Sequence, residues 1–147
     1  MRPFPKDDRP EKICLSLVET TTAKMRRAVA EASPEADLIE IRMDYIISPE
    51  LRPILRAGKK PVVITNRRKE ERGRFTGTEE ARFAVLRQAV ELGAAFVDIE
   101  AQSKKSCLRE FMVNKKNTRT LLSFHNFTGT PDTRDSCAVS RSQREDR

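Results

Sequence analysis

The sequence predicts an α/β fold, specifically part of a (β/α) barrel, and three observations support this prediction. Five short apolar runs recur along the 147 residues. Amphipathic helical patterns separate them, which is typical of right-handed βαβ units and a parallel sheet. Charged side chains collect on one face of the runs and toward their ends, which is where a barrel of this type builds a site.

The five apolar runs are the predicted strands. They are bounded by polar or turn-forming residues and are short enough for strands. They comprise residues 13–18, 38–44, 61–67, 96–100 and 120–127.

Two of the four predicted helices are recognised from apolar residues at helical spacing. The first helix follows the first strand, and the fourth precedes the last strand. Their apolar faces consist of Met25, Ala28, Val29 and Ala32, and of Cys107, Leu108, Phe111 and Met112, respectively.

The other two helices carry start and stop signals. In the second, Ser48 is the predicted N-cap, Pro49 the first helical residue and Gly58 the residue beyond the end. The third is predicted to begin at Thr78 with an acidic first turn and to stop at Gly93. Their predicted buried faces are Leu51, Ile54 and Leu55, and Ala81, Val85, Ala89 and Leu92.

The second strand distinguishes a barrel from an open sheet. Strands alternate faces with a period of two, so its charged residues share one face and its apolar residues the other. A strand in an open α/β sheet is apolar on both faces, because helices cover both. A polar interior is therefore predicted on one side. The two sets are Glu40, Arg42 and Asp44, and Ile39, Ile41 and Met43.

The remaining strand ends add further polar groups to that interior. Asp98 and Glu100 end the fourth strand, and Thr65 and Arg67 end the third. Buried charges persist when they are paired and hydrogen-bonded, so these groups are expected to converge at one end of the sheet. An arginine-rich site without a glycine-rich phosphate loop favours a small substrate that carries a carboxylate.

His125 is the only histidine of the chain and lies near the end of the fifth predicted strand, on the same side as Ser123. Imidazole can take and return a proton near neutral pH. A hydrogen-bonded core histidine is the structural alternative, and the surrounding charges favour a functional role.

Composition restricts the possible partners. The net charge is +7, but the basic residues are interleaved with apolar ones at helical spacing and aromatic residues are few, so nucleic-acid binding is not expected. No apolar stretch is long enough for a membrane helix, and the first residues lack the apolar core of a secretion signal. Cys14, Cys107 and Cys137 lack metal-ligand spacing, which favours a reducing, cytoplasmic location with Cys14 and Cys107 buried. With one histidine, no metal site is predicted.

Four short motifs, in order, resemble those of the type I 3-dehydroquinate dehydratase family, whose members are (β/α)8-barrel lyases of the shikimate pathway. The resemblance runs from about residue 13 to residue 131. The motifs are residues 40–44, residues 65–67 followed by 71–73, residues 98–100, and residues 123–127.

The resemblance implies a role for each candidate residue. His125 would be the general acid and base, and Glu71 would orient it. Four residues would line the site of the anionic substrate 3-dehydroquinate, with Arg67 as a partner of its carboxylate. These four are Ser16, Glu40, Arg42 and Arg67, and the supporting residues are Asp44, Asp98, Glu100 and Ser123.

The resemblance also implies a lysine that forms an imine with the substrate ketone, and it implies no metal and no organic cofactor. No lysine occurs after His125. Residues 1–131 are therefore interpreted as the N-terminal part of the barrel and 132–147 as an aberrant or disordered polar tail. Such a chain is expected to be inactive and to leave its first and fifth strands with unpaired edges. The full-length parent is a possible homodimer.

Two alternatives stay open from the residues. One is another Schiff-base barrel lyase such as a class I aldolase, and the other is a non-catalytic half-barrel.

Overall fold

The computed structural model describes residues 12–130, which form five strands and four helices in strict alternation. The strands are β1 Cys14–Leu17, β2 Leu38–Arg42, β3 Val62–Thr65, β4 Phe96–Glu100 and β5 Arg119–Ser123. The helices are α1 Thr22–Ala32, α2 Leu51–Leu55, α3 Glu79–Glu91 and α4 Lys105–Asn114. All five predicted strands and all four predicted helices are therefore confirmed, although several predicted strands extend too far at their ends.

The five strands form one parallel sheet in the order β1-β2-β3-β4-β5. Each strand lies beside the next one along the chain, so every connection is a βαβ crossover. Within residues 12–130, β1 and β5 are the outer strands of this sheet. This arrangement confirms the predicted fold class, a partial barrel, over five strands and the four helices between them.

The hydrophobic core lies between the sheet and the helices on one side of it. Alternate residues of β2, β3 and β4 point into it and are buried, as are the aromatic rings of α3 and α4. The rings of Phe83 and Phe111 meet edge to face with centroids 5.9 Å apart, which joins the two helices. The strand residues of this core include Ile39, Ile41, Ile64, Val97 and Ile99.

Helix α3 begins as predicted but buries a different face. Thr78 caps it by accepting a hydrogen bond from the Ala81 backbone N–H, at 3.2 Å. Of the predicted buried face only Ala89 is buried; Ala81 is exposed, and Val85 and Leu92 are partly buried. The larger side chains determine the packing, because they bury more apolar area per residue. The observed inward residues are Arg82, Phe83, Leu86, Ala89 and Val90.

Helix α2 does not begin at the predicted N-cap, Ser48. Ser48 lies in the left-handed region with φ of 51°, whereas an N-cap needs extended backbone. The helix begins at Leu51 with Glu50 as its cap residue. Pro53 is its third residue, so the missing N–H belongs to the first turn, where no intrahelical acceptor is available.

The prediction for the cysteines was half right. Cys107 is buried against the core, but Cys14 is exposed, since it lies on the interior face of the outer strand β1. Cys137 and the predicted polar tail lie outside the described residues. Over the part of the chain that the structure describes, no helix combines the length and apolar character that a membrane span requires.

Candidate active site

The parallel register aligns the polar side chains of neighbouring strands. Arg42 pairs with Thr65, and Thr65 pairs with Asp98, so these residues form one row across β2, β3 and β4. Glu100 pairs with Ser123 one step further toward the strand ends. Residues in register project from the same face of a sheet. The sheet therefore collects the predicted polar groups on the face away from the helices.

Arg67 lies at the centre of the largest cluster. Its Nη2 is 2.7 Å from Oδ2 of Asp98, and its Nη1 is 3.5 Å from Oε1 of Glu100. Nη1 also donates to Ser123 Oγ at 2.7 Å, and this hydroxyl lies 3.2 Å from the same Asp98 oxygen. The Arg67 side chain is only 9% exposed. A buried guanidinium thus links three strand ends through charge-assisted hydrogen bonds.

His125 completes the cluster through one ring nitrogen. Its Nδ1 lies 2.8 Å from Oε2 of Glu71 and 2.9 Å from Nη1 of Arg67. Nε2 has no hydrogen-bond partner among residues 12–130. The imidazole is about one third exposed, whereas Glu71 is almost fully buried. His125 therefore has one nitrogen fixed by the protein and one available to a ligand.

The loop after β3 carries Glu71 into this position. A 3-10 turn, Lys69–Glu71, is followed by Arg72 in the left-handed conformation with φ of 59°. A Cβ on Gly73 would lie 2.0 Å from the carbonyl oxygen of Arg67, so only glycine permits this close return of the chain. Arg72 lies over the ring of Phe127, 4.0 Å from its centroid, and Phe127 stacks on His125. The loop and the residues after β5 thus support the ring together.

A second cluster lies beside the first one. Glu40 accepts hydrogen bonds from Ser16 Oγ at 2.5 Å and from Thr65 Oγ1 at 2.7 Å. Ser16 is exposed, because β1 is an outer strand of the described sheet, whereas Thr65 is completely buried. Ser16 and Glu40 were predicted as site residues, and Thr65 as a polar group of the same interior.

Arg42 is oriented by Asp44. Its Nε and Nη2 donate to the two carboxylate oxygens at 2.9 and 2.8 Å, a bidentate pair. Asp44 lies in the 3-10 turn after β2 and not in the strand, and its Oδ2 also accepts from the backbone N–H of Arg74 at 2.9 Å. Asp44 therefore joins the loop after β2 to the loop after β3 and orients Arg42, as expected of a residue that supports the site.

The structure thus brings most of the predicted residues together in contact groups. Asp98, Glu100, Glu71, Ser123 and His125 all contact Arg67, while Ser16 and Glu40 form one neighbouring group and Arg42 and Asp44 another. Within the described range, no group of three or more His, Cys, Asp or Glu side chains has the geometry of a metal site.

One buried residue of this region was not predicted. Arg82 of α3 points toward the sheet with its side chain only 1% exposed. It contacts Oε2 of Glu100, and it binds Glu79 through two hydrogen bonds of 2.8 and 3.0 Å. Its Nη2 also donates to Ser103 Oγ at 2.7 Å. The only indication of this ion pair in the sequence is Glu79, three residues before Arg82. The same spacing is also typical of an exposed ion pair on a helix surface.

Asp98 has an altered proton affinity. Burial raises its pKa from 3.8 to about 6, against the opposing effect of the Arg67 guanidinium at 2.7 Å. The hydrogen bond from Ser123 also lowers it, and the neighbouring carboxylates of Glu100 and Glu40 raise it. Desolvation of the buried carboxyl group is the largest effect on this pKa and exceeds the attraction of the Arg67 guanidinium.

This pKa predicts how stability changes with pH. The unfolded chain releases the Asp98 proton near pH 3.8 and the folded chain near pH 6. The contribution of Asp98 to the free energy of unfolding is therefore complete below about pH 4 and is lost as the pH rises through about 6. We expect Asp98→Asn to abolish this dependence, so that the stability difference between the two proteins changes by about 2 kcal/mol between pH 4 and pH 7.

Urea unfolding of both proteins at each pH measures this difference. Asp37→Asn, an exposed carboxylate at the opposite ends of the strands, is the matched control. A constant difference between the native chain and Asp98→Asn across this pH range would contradict the assignment.

Comparison with known proteins identifies similar sequences. Residues 13–145 match the family described as type I 3-dehydroquinase. The 3-dehydroquinate dehydratase of Desulfotalea psychrophila is 38% identical over 122 residues, which are 81% of this chain and 53% of that protein. That of Methanothermobacter thermautotrophicus is 35% identical over 124 residues, covering 82% of this chain and 55% of the relative. This chain spans about half the length of these relatives.

Solved structures show the same fold. The 3-dehydroquinate dehydratase of Enterococcus faecalis superposes with a TM-score of 0.80 at 26% identity, over 92% of this chain and 62% of that one. A type I enzyme of Clostridium difficile superposes with a TM-score of 0.82 at 19% identity, over 90% of this chain and 58% of that one. At the latter identity the likeness concerns the fold alone.

Proposed function

Because this chain belongs to the type I 3-dehydroquinase family, we propose that its polar cluster is the acid-base and substrate-binding part of a 3-dehydroquinate dehydratase. The reaction would convert 3-dehydroquinate to 3-dehydroshikimate and water through a Schiff base. The single observation that carries this proposal is the arrangement at His125, whose Nδ1 is fixed by Glu71 while Nε2 is available to a ligand.

His125 would transfer the protons of this reaction through Nε2. In the tautomer whose proton is on Nδ1 and directed to Glu71, Nε2 presents a lone pair and can act as a base. The buried carboxylate also stabilises the charged imidazolium that results. Oε1 of Glu71 is buried and has no hydrogen-bond partner within residues 12–130, so the carboxylate retains capacity for one further donor.

Ser16, Glu40, Arg42 and Arg67 would contribute to the substrate site. Glu40 and Arg42 fit hydroxyl or other polar groups, since their partners leave part of each side chain exposed. The contact between Arg67 and the substrate carboxylate remains a prediction, and it would have to form beside the acidic partners that Arg67 already has. Three carboxylates already lie within 4.0 Å of its Nη atoms, so a fourth would meet charge repulsion.

The Schiff-base step requires a lysine amine, because an iminium acidifies the neighbouring C–H bond enough for a mild base. The last lysine of the sequence is Lys116, in the turn before β5. We therefore propose that the 147 residues alone lack the nucleophile. A cytoplasmic location, a homodimeric parent and the absence of nucleic-acid partners remain predictions. No observation favours the aldolase alternative.

Completion of the barrel tests this proposal. Residues 1–130 are fused to the remaining C-terminal part of the Desulfotalea psychrophila relative, which is 38% identical in the shared region. We expect the fusion to dehydrate 3-dehydroquinate and to give a borohydride-stable adduct with it. Formation of the conjugated product is followed by absorbance, and the adduct by mass spectrometry. The same fusion with the lysines of its added part replaced by methionine is the control for the nucleophile.

A folded fusion that binds 3-dehydroquinate but forms neither product nor adduct would contradict the proposed function. Cooperative unfolding, together with a circular-dichroism spectrum typical of an α/β protein, establishes that the fusion is folded.

A further inference from the structure

Two side chains compete for one nitrogen of His125. Nδ1 lies 2.9 Å from Nη1 of Arg67, which is always a donor, and 2.8 Å from Oε2 of Glu71, which accepts when it is ionised. A neutral imidazole nitrogen is either a donor or an acceptor. Nδ1 can therefore satisfy Glu71 or Arg67, but not both.

The choice at Nδ1 determines the state of Nε2. When Nδ1 donates to Glu71, Nε2 carries a lone pair and is a base. When Nδ1 accepts from Arg67, the proton of the neutral ring is on Nε2, which is then a hydrogen-bond donor and not a base. The balance between the two partners thus selects the chemical role of Nε2, which has no hydrogen-bond partner within residues 12–130.

Arg67 has little freedom in this contact. Its Nη1 carries two hydrogens, and the two close partners of Nη1 are Ser123 Oγ at 2.7 Å and His125 Nδ1 at 2.9 Å. Oε1 of Glu100 lies further away, at 3.5 Å. Glu100 can only attract Nη1 more strongly at the expense of one of the two shorter contacts.

The negative charge of Glu100 is compensated mainly at Oε2, the carboxylate oxygen that does not face Arg67. Its side chain is 1% exposed, and Oε2 forms its closest contact with Nη1 of Arg82. Arg82 is itself fixed by Glu79 and Ser103, so its guanidinium is held against Glu100 by the helix and by the loop after β4. A buried carboxylate that lost this partner would have Arg67 as its nearest remaining cation.

We propose that Arg82 is a positioning residue for His125: by pairing with Glu100 it leaves Nη1 of Arg67 on Nδ1, and it thereby sets the tautomer of the imidazole. Without Arg82, Glu100 draws Nη1 of Arg67 away from His125. Within residues 12–130, Nδ1 then has Glu71 as its one remaining partner, and the equilibrium shifts toward the Nδ1–H tautomer. Arg82 acts here through two intervening side chains and contacts no reacting group.

The single histidine allows a direct test on the full chain. The ¹⁵N chemical shifts of the ring nitrogens, recorded at about pH 9 in protein with no affinity tag, report which nitrogen carries the proton. We expect Arg82→Met to increase the ratio of the Nδ1–H to the Nε2–H tautomer at least about twofold over the native chain, in keeping with the change of partner at Nδ1. Arg87→Met is the matched control, since Arg87 lies on the same helix in a loose surface pair with Glu110 at 3.4 Å.

A folded Arg82→Met variant with the native tautomer ratio would overturn the proposal. The double variant Arg82→Met with Glu100→Gln distinguishes this pathway from a general disturbance. Neutral glutamine does not attract Arg67, so we expect the double variant to match Glu100→Gln alone. A difference between these two proteins would also overturn the proposal, and this comparison remains decisive if Arg82→Met alone fails to fold.

The inference rests on the proposed acid-base role of His125, but its readout does not require turnover. An inactive fusion protein together with the expected tautomer shift would reject the function and leave the positioning role intact. The reverse outcome would reject only the positioning role.

Discussion

The purified chain of 147 residues is expected to produce no 3-dehydroshikimate from 3-dehydroquinate and to form no borohydride-stable adduct. Imine formation requires an unprotonated lysine amine close to the acid-base group. Among residues 12–130, the lysines near the polar cluster form other contacts or are exposed. Nζ of Lys104 pairs with Glu80 at 2.6 Å on the outer side, and Lys69 is exposed on the loop after β3. Without the imine, the proton next to a simple ketone is too weakly acidic for an imidazole to remove efficiently.

Two measurements check this expectation. Product formation is followed by absorbance, and the chain is treated with borohydride in the presence of substrate and analysed by intact mass. The fusion protein with a completed barrel is the positive control under identical conditions. Turnover by the chain alone, or an adduct on any of its own lysines, would show that the nucleophile has been assigned wrongly.

His125→Ala in the completed fusion is expected to lower turnover by about 10²- to 10⁴-fold, the usual contribution of a positioned general acid or base. The imine should still form, because a lysine and not the imidazole makes that bond. The variant should therefore be trapped by borohydride with substrate and yet release little product. The comparison of adduct yield with kcat separates the two steps.

Arg119→Ala is the matched control for this substitution. Arg119 begins β5, at the end of the strand opposite to His125, and its side chain is exposed. The control should retain the turnover of the fusion. Loss of trapping together with turnover in His125→Ala, in a protein that remains folded, would mean that the imidazole is required for imine formation and that the proposed division of roles is wrong.

The strand positions could be predicted because parallel strands flanked by helices must be apolar on the helix side. In β2, the alternation of Ile39 and Ile41 with Glu40 and Arg42 indicated which face meets the core, and burial follows that alternation. The helix α3 was harder to predict. Its apolar residues permit two faces a short rotation apart, and the packing of Phe83 and Leu86 selects between them.

The same rotation explains why the burial of Arg82 was not predicted. It lies next to Phe83 on the inward face, and its burial is acceptable only because Glu100 and Glu79 meet it there. Glu100 belongs to a strand 18 residues further along the chain. No local pattern specifies a pair that depends on how a helix is rotated against a sheet.

The sequence by itself determined the order of strands and helices, the interior face of the sheet and the residue types that occupy it, because these follow from local periodicity and from the separation of apolar and charged groups. The tertiary structure alone decided which partners those groups have. Whether Nη1 of Arg67 meets His125, Ser123 or a carboxylate depends on strand register, on the return of the loop at Gly73 and on distances of a few tenths of an ångström. Hydrogen bonds and ion pairs are short-ranged and directional, so their pattern exists only once the whole sheet and its loops are assembled.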